Sequence, residues 1–143
     1  MAESRKILII TDGSSPVQKL AEDIAAVIGD SPDCSATVVD AEHFSGDNLL
    51  PVKTFFLGCG EPKPLSFLYI EALLKHINLA GRSCGIFSSN AKAIKYLSSL
   101  VRDSETAVGK IILAKNAAAD NKKLHKWIQD ILKKGEKNGL IQS

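Results

Sequence analysis

Short apolar runs alternate with amphipathic segments along most of the chain, and this alternation is the strongest constraint on its fold. The first run, residues 6–10, is continuous and rich in β-branched side chains, which predicts a strand buried on both faces. Four further strands are predicted, at 36–40, 54–58, 83–87 and 109–114. Strands that alternate with helices form parallel sheets covered on both faces. The sequence therefore predicts an α/β fold, with the first strand at the centre of the sheet.

The segments between these strands carry apolar residues at helical spacing. Four helices are predicted, marked by apolar positions over residues 17–28, 67–77, 94–101 and 124–132, with the second ending near Asn78 and the last by Gly135. Gly29 and the polar cluster after it end the first helix. Residues 41–53 have an uneven pattern that contains Gly46 and Pro51, which indicates a loop or one short helical turn.

The composition is that of an ordinary globular protein, with 143 residues, 45% of them hydrophobic and 24% charged. We predict one domain over residues 1–143. The net charge of +2 is too small to indicate nucleic acid, and no run approaches the ~20 apolar residues of a membrane span. Nor do residues 1–10 have the form of a secretory signal. The sequence leaves the oligomeric state open.

The cysteines and histidines show no metal-binding pattern. Cys34, Cys59 and Cys84 are odd in number and contain no CxxC pair, which argues against a disulfide framework and against a zinc site. The three histidines share no ligand spacing. We therefore expect a cytoplasmic protein without a metal, a nucleic-acid partner or a membrane partner.

The candidate binding site lies in the turns that follow strands one, three and four. In a parallel α/β sheet, ligands bind beyond the carboxyl ends of the strands, where the strand order reverses. The first turn runs into a helix N-terminus, whose free N–H groups and dipole favour an anion. The same turn could instead be only a polar, capped connection. The candidate binding residues are Thr11, Asp12, Gly13, Ser14, Ser15, Gly58, Cys59, Gly60, Ser88, Ser89 and Asn90.

The order and spacing of these segments resemble the flavodoxin family from Lys6 to about Lys134. The matching pieces are KILIITDGSSPVQKLA at 6–21, VVDAEHF at 38–44, DNLL at 47–50, FLGCG at 56–60, LAGR at 79–82 and GIFSS at 85–89. The resemblance implies a three-layer α/β/α sandwich around a five-stranded parallel sheet of order 2-1-3-4-5. It also implies FMN as cofactor, with electron transfer to a redox partner protein.

In the family, the first turn holds the FMN phosphate, and the matching donors are Thr11, Gly13, Ser14 and Ser15. Three positions depart from the family pattern. Asp12 stands where a hydroxyl is usual, Pro16 has no N–H, and Val17 replaces a threonine. A carboxylate that faces the phosphate repels it by ~1 kcal/mol at 4 Å in water, and by several times that in a drier site. Alternatively, Asp12 points away and caps the helix.

The resemblance also places the flavin ring between the second and third turns, usually against an aromatic side chain. Here no aromatic precedes Phe67, which we place on the helix, and the third turn is short and has none. The sequence pI of about 8.4 differs from the acidic character typical of flavodoxins.

Two functions of different class remain open. One is a flavoprotein that binds FMN and carries electrons. The other is a flavodoxin-fold binding or interaction module that has lost the flavin. No arrangement of acid, base or nucleophile indicates side-chain catalysis in either. Cys59 could be a reactive thiol near Lys63, but a core-edge residue is the simpler interpretation. A phosphoryl-accepting receiver would need an acidic residue at the end of strand three, where the chain has Gly58, Cys59 and Gly60.

Overall fold

The computed structural model describes residues 5–30, 34–45, 48, 52–76, 83–88, 90–102, 107–113, 126 and 128. Within them, five strands form one parallel sheet in the order β2-β1-β3-β4-β5. The strands are Arg5–Thr11 (β1), Cys34–Asp40 (β2), Thr54–Gly58 (β3), Ser83–Ser88 (β4) and Ala107–Leu113 (β5). The predicted fold class and strand order are confirmed. The prediction that the first strand is central is wrong. β3 is the middle strand, with β1 and β2 on one side of it and β4 and β5 on the other.

The first and third helices begin before the first apolar residues of their patterns, Val17 and Ile94, whereas the second begins just after Phe67. The helices are Ser15–Gly29 (α1), Leu68–His76 (α2) and Ala91–Arg102 (α3). A 3₁₀ turn at Leu65–Phe67 leads into α2, and another at Ala41–His43 supplies the short helical turn predicted within 41–53. Most of the helix predicted over 124–132 lies outside the described residues. Residues 126 and 128, the two that are described in this segment, are helical.

Each face of the sheet carries its own hydrophobic core, because successive side chains of a strand point to opposite faces. On β1, Ile7 and Ile9 pack against the buried side of α1. Leu8 and Ile10 point to the other face, which α2 and α3 cover. Phe55 and Phe56 divide in the same way on β3, and both are fully buried. The three-layer arrangement predicted from the sequence is therefore present.

Strand register brings the turns together at the carboxyl edge of the sheet. Thr11 pairs with Asp40 on one side and with Gly58 on the other, and Gly58 pairs with Phe87. The chain leaves β1 outward to β2 and then crosses back to β3, so the strand order reverses between β1 and β3. The turns that follow these two strands are therefore neighbours at the reversal point.

At Gly58, the last residue of β3, the neighbouring strand leaves no room for a side chain. A Cβ atom placed there would lie 2.3 Å from the buried ring of Phe87. By contrast, a Cβ at Gly29, the last residue of α1, would meet nothing within 4 Å. The edge of β3 therefore depends on glycine for the close packing of β3 on β4.

We predict that Gly58→Ala lowers the free energy of unfolding by about 1–3 kcal/mol, since the Phe87 ring must move to admit the methyl group. The matched control Gly29→Ala should be neutral, or stabilising by up to about 1 kcal/mol, because alanine favours the helix. Urea denaturation of both variants measures the difference. Equal stability of the two variants would contradict this packing.

Candidate functional site

The carboxyl edge of the sheet gathers ten of the eleven predicted binding residues into three adjacent turns. Turn 1 consists of residues 11–15, turn 2 of 58–64 and turn 3 of 88–90. Thr11, Gly58 and Ser88 are the last residues of β1, β3 and β4, and Ser15 is the first residue of α1. Ser89 lies outside the described residues.

Asp12 makes the main contact between turns 1 and 2. Its Oδ1 accepts hydrogen bonds from the Ser14 backbone N–H at 3.0 Å and from the Ser14 hydroxyl at 2.7 Å. Its Oδ2 accepts the Gly60 backbone N–H at 2.9 Å. Both carboxylate oxygens therefore bind donors of the site itself. Asp12 is partly exposed, and it does not cap the first turn of α1, the alternative that the sequence left open.

The remaining donors of turn 1 are partly used inside it. The Thr11 hydroxyl donates to Gln18 Oε1 at 2.9 Å and accepts the Gly13 N–H at 3.2 Å. Pro16, in the first turn of α1, has no N–H to offer. Among the described residues, the backbone N–H groups of Ser15 and Val17 have no hydrogen-bond partner. Turn 1 thus keeps two free N–H groups at the helix N-terminus.

Turns 2 and 3 are joined by hydrogen bonds as well. The buried Ser88 hydroxyl donates to the Cys59 carbonyl at 2.6 Å and accepts the Asn90 N–H at 3.0 Å. The Asn90 side-chain amide donates to the Gly60 carbonyl at 3.4 Å. Gly60 therefore contacts turn 1 through its N–H and turn 3 through its carbonyl. The three turns form one hydrogen-bonded unit.

A second carboxylate, Asp40, lies beside turn 1. A Cβ atom at Gly13, whose φ is +81°, would stand 2.9 Å from Asp40 Oδ2. The other oxygen, Oδ1, accepts the Glu42 N–H at 3.0 Å. Asp40 and the turn after β2 were not among the predicted site residues. The pairing of Thr11 with Asp40 places Asp40 beside turn 1, and the parallel arrangement of β1 and β2 is the sequence signal that could have predicted this position.

The Cys59 thiol is buried and held protonated. Burial raises its pKa to about 12, with smaller contributions in the same direction from the charges of Asp12 and Glu61. A thiol with that pKa has almost no nucleophilic thiolate at neutral pH. The interpretation of Cys59 as a core-edge residue is therefore favoured over that of a reactive thiol near Lys63.

The described parts of the chain show neither a metal-binding cluster nor a membrane-spanning helix. Nowhere in them do three or more His, Cys, Asp or Glu side chains gather in a way that could hold a metal ion. None of the helices described has the length and apolar character needed to cross a bilayer.

Comparison with known proteins shows the fold. Similar solved structures include the Streptococcus pneumoniae TIGR4 flavodoxin, with a TM-score of 0.78, 12% identity, and coverage of 92% of this chain and 99% of that one. Flavodoxin 2 of Bacillus cereus has a TM-score of 0.71 and 21% identity, over 90% and 99% of the two chains. A Fusobacterium nucleatum flavodoxin bound to flavin mononucleotide has a TM-score of 0.67 and 11% identity, over 90% and 98%. No protein-family model and no curated protein matches the sequence. The chain therefore has the flavodoxin-like fold.

The phosphate of FMN does not fit turn 1 in this arrangement. Both hydrogen-bond donors of Ser14 are bound to Asp12, and Pro16 contributes none. A phosphate dianion would also face the carboxylates of Asp12 and Asp40. Each repels it by ~1 kcal/mol at 4 Å in water and by several times that in a drier site.

The flavin ring does not fit between turns 2 and 3 either. The bond from Ser88 to Cys59 and that from Asn90 to Gly60 hold the two turns in direct contact. Phe67, the first aromatic after turn 2, is fully buried, with its ring 6.4 Å from that of Tyr96. Neither turn has an aromatic side chain among its described residues.

The raised pKa of Cys59 predicts the order in which the thiols react. At pH 8, a disulfide reagent should modify the half-exposed Cys34 in the folded protein and leave the buried Cys59 and Cys84 unmodified. After unfolding in guanidinium chloride, all three should react. Mass spectrometry of digested protein identifies the labelled residues. Labelling of folded Cys59 as fast as that of Cys34 would contradict the assigned burial and pKa.

Proposed function

We propose that this chain is a flavodoxin-fold interaction module that binds a partner protein and does not carry FMN. The observation that supports it best is the direct hydrogen bonding among the three turns, through Asp12 to Gly60 and through Ser88 to Cys59. These bonds use the Gly60 N–H and the Ser88 hydroxyl within the chain itself, which favours turns that bind one another over turns that hold a flavin nucleotide. The fold is retained, while the turns are built to contact one another.

An exposed apolar surface lies next to these turns. Leu65, Leu68 and Tyr69 are 85%, 60% and 47% exposed, although large apolar side chains usually lie inside. They line one side of an open groove of about 650 Å³, whose other side is formed by the 3₁₀ turn after β2 and by Phe44. Apolar surface collected at a groove is typical of a contact site for another protein.

The charges beside this groove favour a basic partner. The turns that lead into it carry the carboxylates of Asp40, Glu42 and Glu61, against the single ammonium group of Lys63 and the imidazole of His43. The sign of this region is therefore opposite to the net charge of the whole chain, which is +2. Complementary charge speeds association and selects the partner. We therefore propose a partner segment with apolar side chains flanked by lysine or arginine.

A second candidate is FMN binding with electron transfer, as the resemblance to flavodoxins implies. It is supported by the FMN-bound Fusobacterium nucleatum structure of the same fold. It is also supported by the free N–H groups of Ser15 and Val17, which could still meet a phosphate. This function requires the Asp12 carboxylate to leave its three donors when FMN arrives.

FMN titration separates the two candidates. We predict that the purified protein is colourless and leaves the fluorescence of added FMN unquenched, because Asp12 holds the donors of turn 1. A flavodoxin that retains FMN serves as the positive control. Quenching that saturates at one FMN per chain would contradict the first proposal and establish the second candidate.

The partner surface can be tested with a defined probe. We predict that a fluorescently labelled synthetic helix, with leucine at every third or fourth position and lysine elsewhere, binds the protein. A twin peptide with glutamate in place of lysine should not bind. Leu68→Ser and Glu42→Lys should each weaken binding at least about fivefold, which corresponds to ~1 kcal/mol.

Glu22→Lys is the matched control for Glu42→Lys, since it makes the same change of charge at an exposed position of α1. It should leave the affinity within about twofold, or ~0.4 kcal/mol. Equal effects of Glu22→Lys and Glu42→Lys in fluorescence anisotropy would mean that the peptide follows only the net charge. Binding unchanged by Leu68→Ser would likewise contradict the proposed surface.

A further inference from the structure

We propose that the Asp12 carboxylate is a built-in anion, which takes the position of a ligand phosphate in turn 1 and fastens turn 1 to turn 2. The inference rests on the proposed function, in which wild-type turn 1 holds no FMN. It assigns a role to one residue of this chain that the fold alone does not.

The donors around Asp12 are those of an anion site. Two backbone N–H groups, of Ser14 and Gly60, and one hydroxyl, of Ser14, converge on its two oxygens. Backbone N–H groups and hydroxyls at a helix N-terminus are the donors that proteins present to phosphate oxygens. Here one covalently attached carboxylate satisfies all three of them. Because the acceptor is charged, these hydrogen bonds are stronger than neutral ones.

The backbone of turn 2 approaches Asp12 and Ser14 closely. A Cβ atom at Gly60 would lie 2.6 Å from Ser14 Oγ and 3.8 Å from Asp12 Oδ2. A side chain at this position would push aside the Ser14 hydroxyl, which itself donates to Asp12, so glycine favours the close approach of turn 2 to the carboxylate. The bridge therefore depends on two positions that lie 48 residues apart in sequence.

A second aspartate, Asp40, lies close to turn 1 but does not bridge two turns. Its Oδ2 approaches Gly13, whereas its Oδ1 accepts the N–H of Glu42, in the turn that follows β2. Asp12, by contrast, joins the elements on the two sides of the point where the strand order reverses. Asp40 is therefore a matched control for Asp12.

Removal of the carboxylate should leave an anion site. In Asp12→Ser the N–H groups of Ser14 and Gly60 lose their acceptor, beside the already free N–H groups of Ser15 and Val17. We expect the melting temperature of this variant in chloride buffer to fall by about 5 °C relative to wild type. Inorganic phosphate at matched ionic strength should restore most of that loss.

The controls for this experiment are wild type and Asp40→Ser, for which phosphate should leave the melting temperature unchanged to within about 1 °C. The inference is overturned if phosphate stabilises wild type as much as Asp12→Ser. It is also overturned if Asp12→Ser folds and phosphate has no effect on it.

A measurement on the wild-type protein covers the case in which Asp12→Ser does not fold. Nuclear magnetic resonance of ¹³C,¹⁵N-labelled protein should show a scalar coupling, across the hydrogen bond, between the Gly60 amide nitrogen and the Asp12 carboxylate carbon. Detection of this coupling supports the bridge, and its absence overturns it. Absence would leave the partner-binding proposal in place, because the peptide titration tests that proposal separately.

Discussion

The carboxyl edge of this sheet depends on the hydrogen bond between Asp12 and Gly60. It joins the loop after β1 to the loop after β3, the two strands between which the strand order reverses. In a doubly wound sheet this is the place where a crevice for a ligand opens. Here the Asp12 side chain bridges the two loops, and Gly60 in turn accepts a hydrogen bond from Asn90 in turn 3. One carboxylate thus links the turns of this edge.

The two cores explain why this edge holds its shape. β1 and β3 are buried on both faces, and β4 is buried along its full length, so the strand ends are fixed relative to one another. Ser88, at the end of β4, is fully buried, and its hydroxyl acts as both donor and acceptor. A buried hydroxyl without partners would cost about 1–3 kcal/mol. The packing beneath the turns therefore fixes their positions.

The fold could be predicted from the sequence because its signals are local. The apolar run over 7–10 and the Phe-Phe-Leu run within Thr54–Gly58 indicate buried strands without any knowledge of their neighbours. The ends of the strands are less evident from the sequence. β2 begins at Cys34 rather than at residue 36, because its hydrogen-bonded pairing with β1 extends past the apolar pattern. The helix predicted from residue 67 likewise begins with a 3₁₀ turn.

The adjacency of the three turns could be predicted from the sequence, since the carboxyl ends of parallel strands share one edge. The contacts that the turns make with one another could not. The direction of the Asp12 side chain depends on an N–H group that is distant in sequence, and the approach of Asp40 depends on strand register. Both are tertiary facts with no local signal. The resemblance to flavodoxins marked Asp12 as unusual, and only the geometry showed what it contacts.

A crystal structure of the wild-type protein, grown from a solution rich in phosphate, shows directly whether Asp12 or an external anion occupies turn 1. If Asp12 bridges turns 1 and 2, its oxygens will lie within about 3 Å of the Ser14 and Gly60 nitrogens, the usual N–H···O distance, with no anion in turn 1. A phosphate bound to the N–H groups of turn 1, with the Asp12 side chain rotated out to solvent, would contradict this bridge.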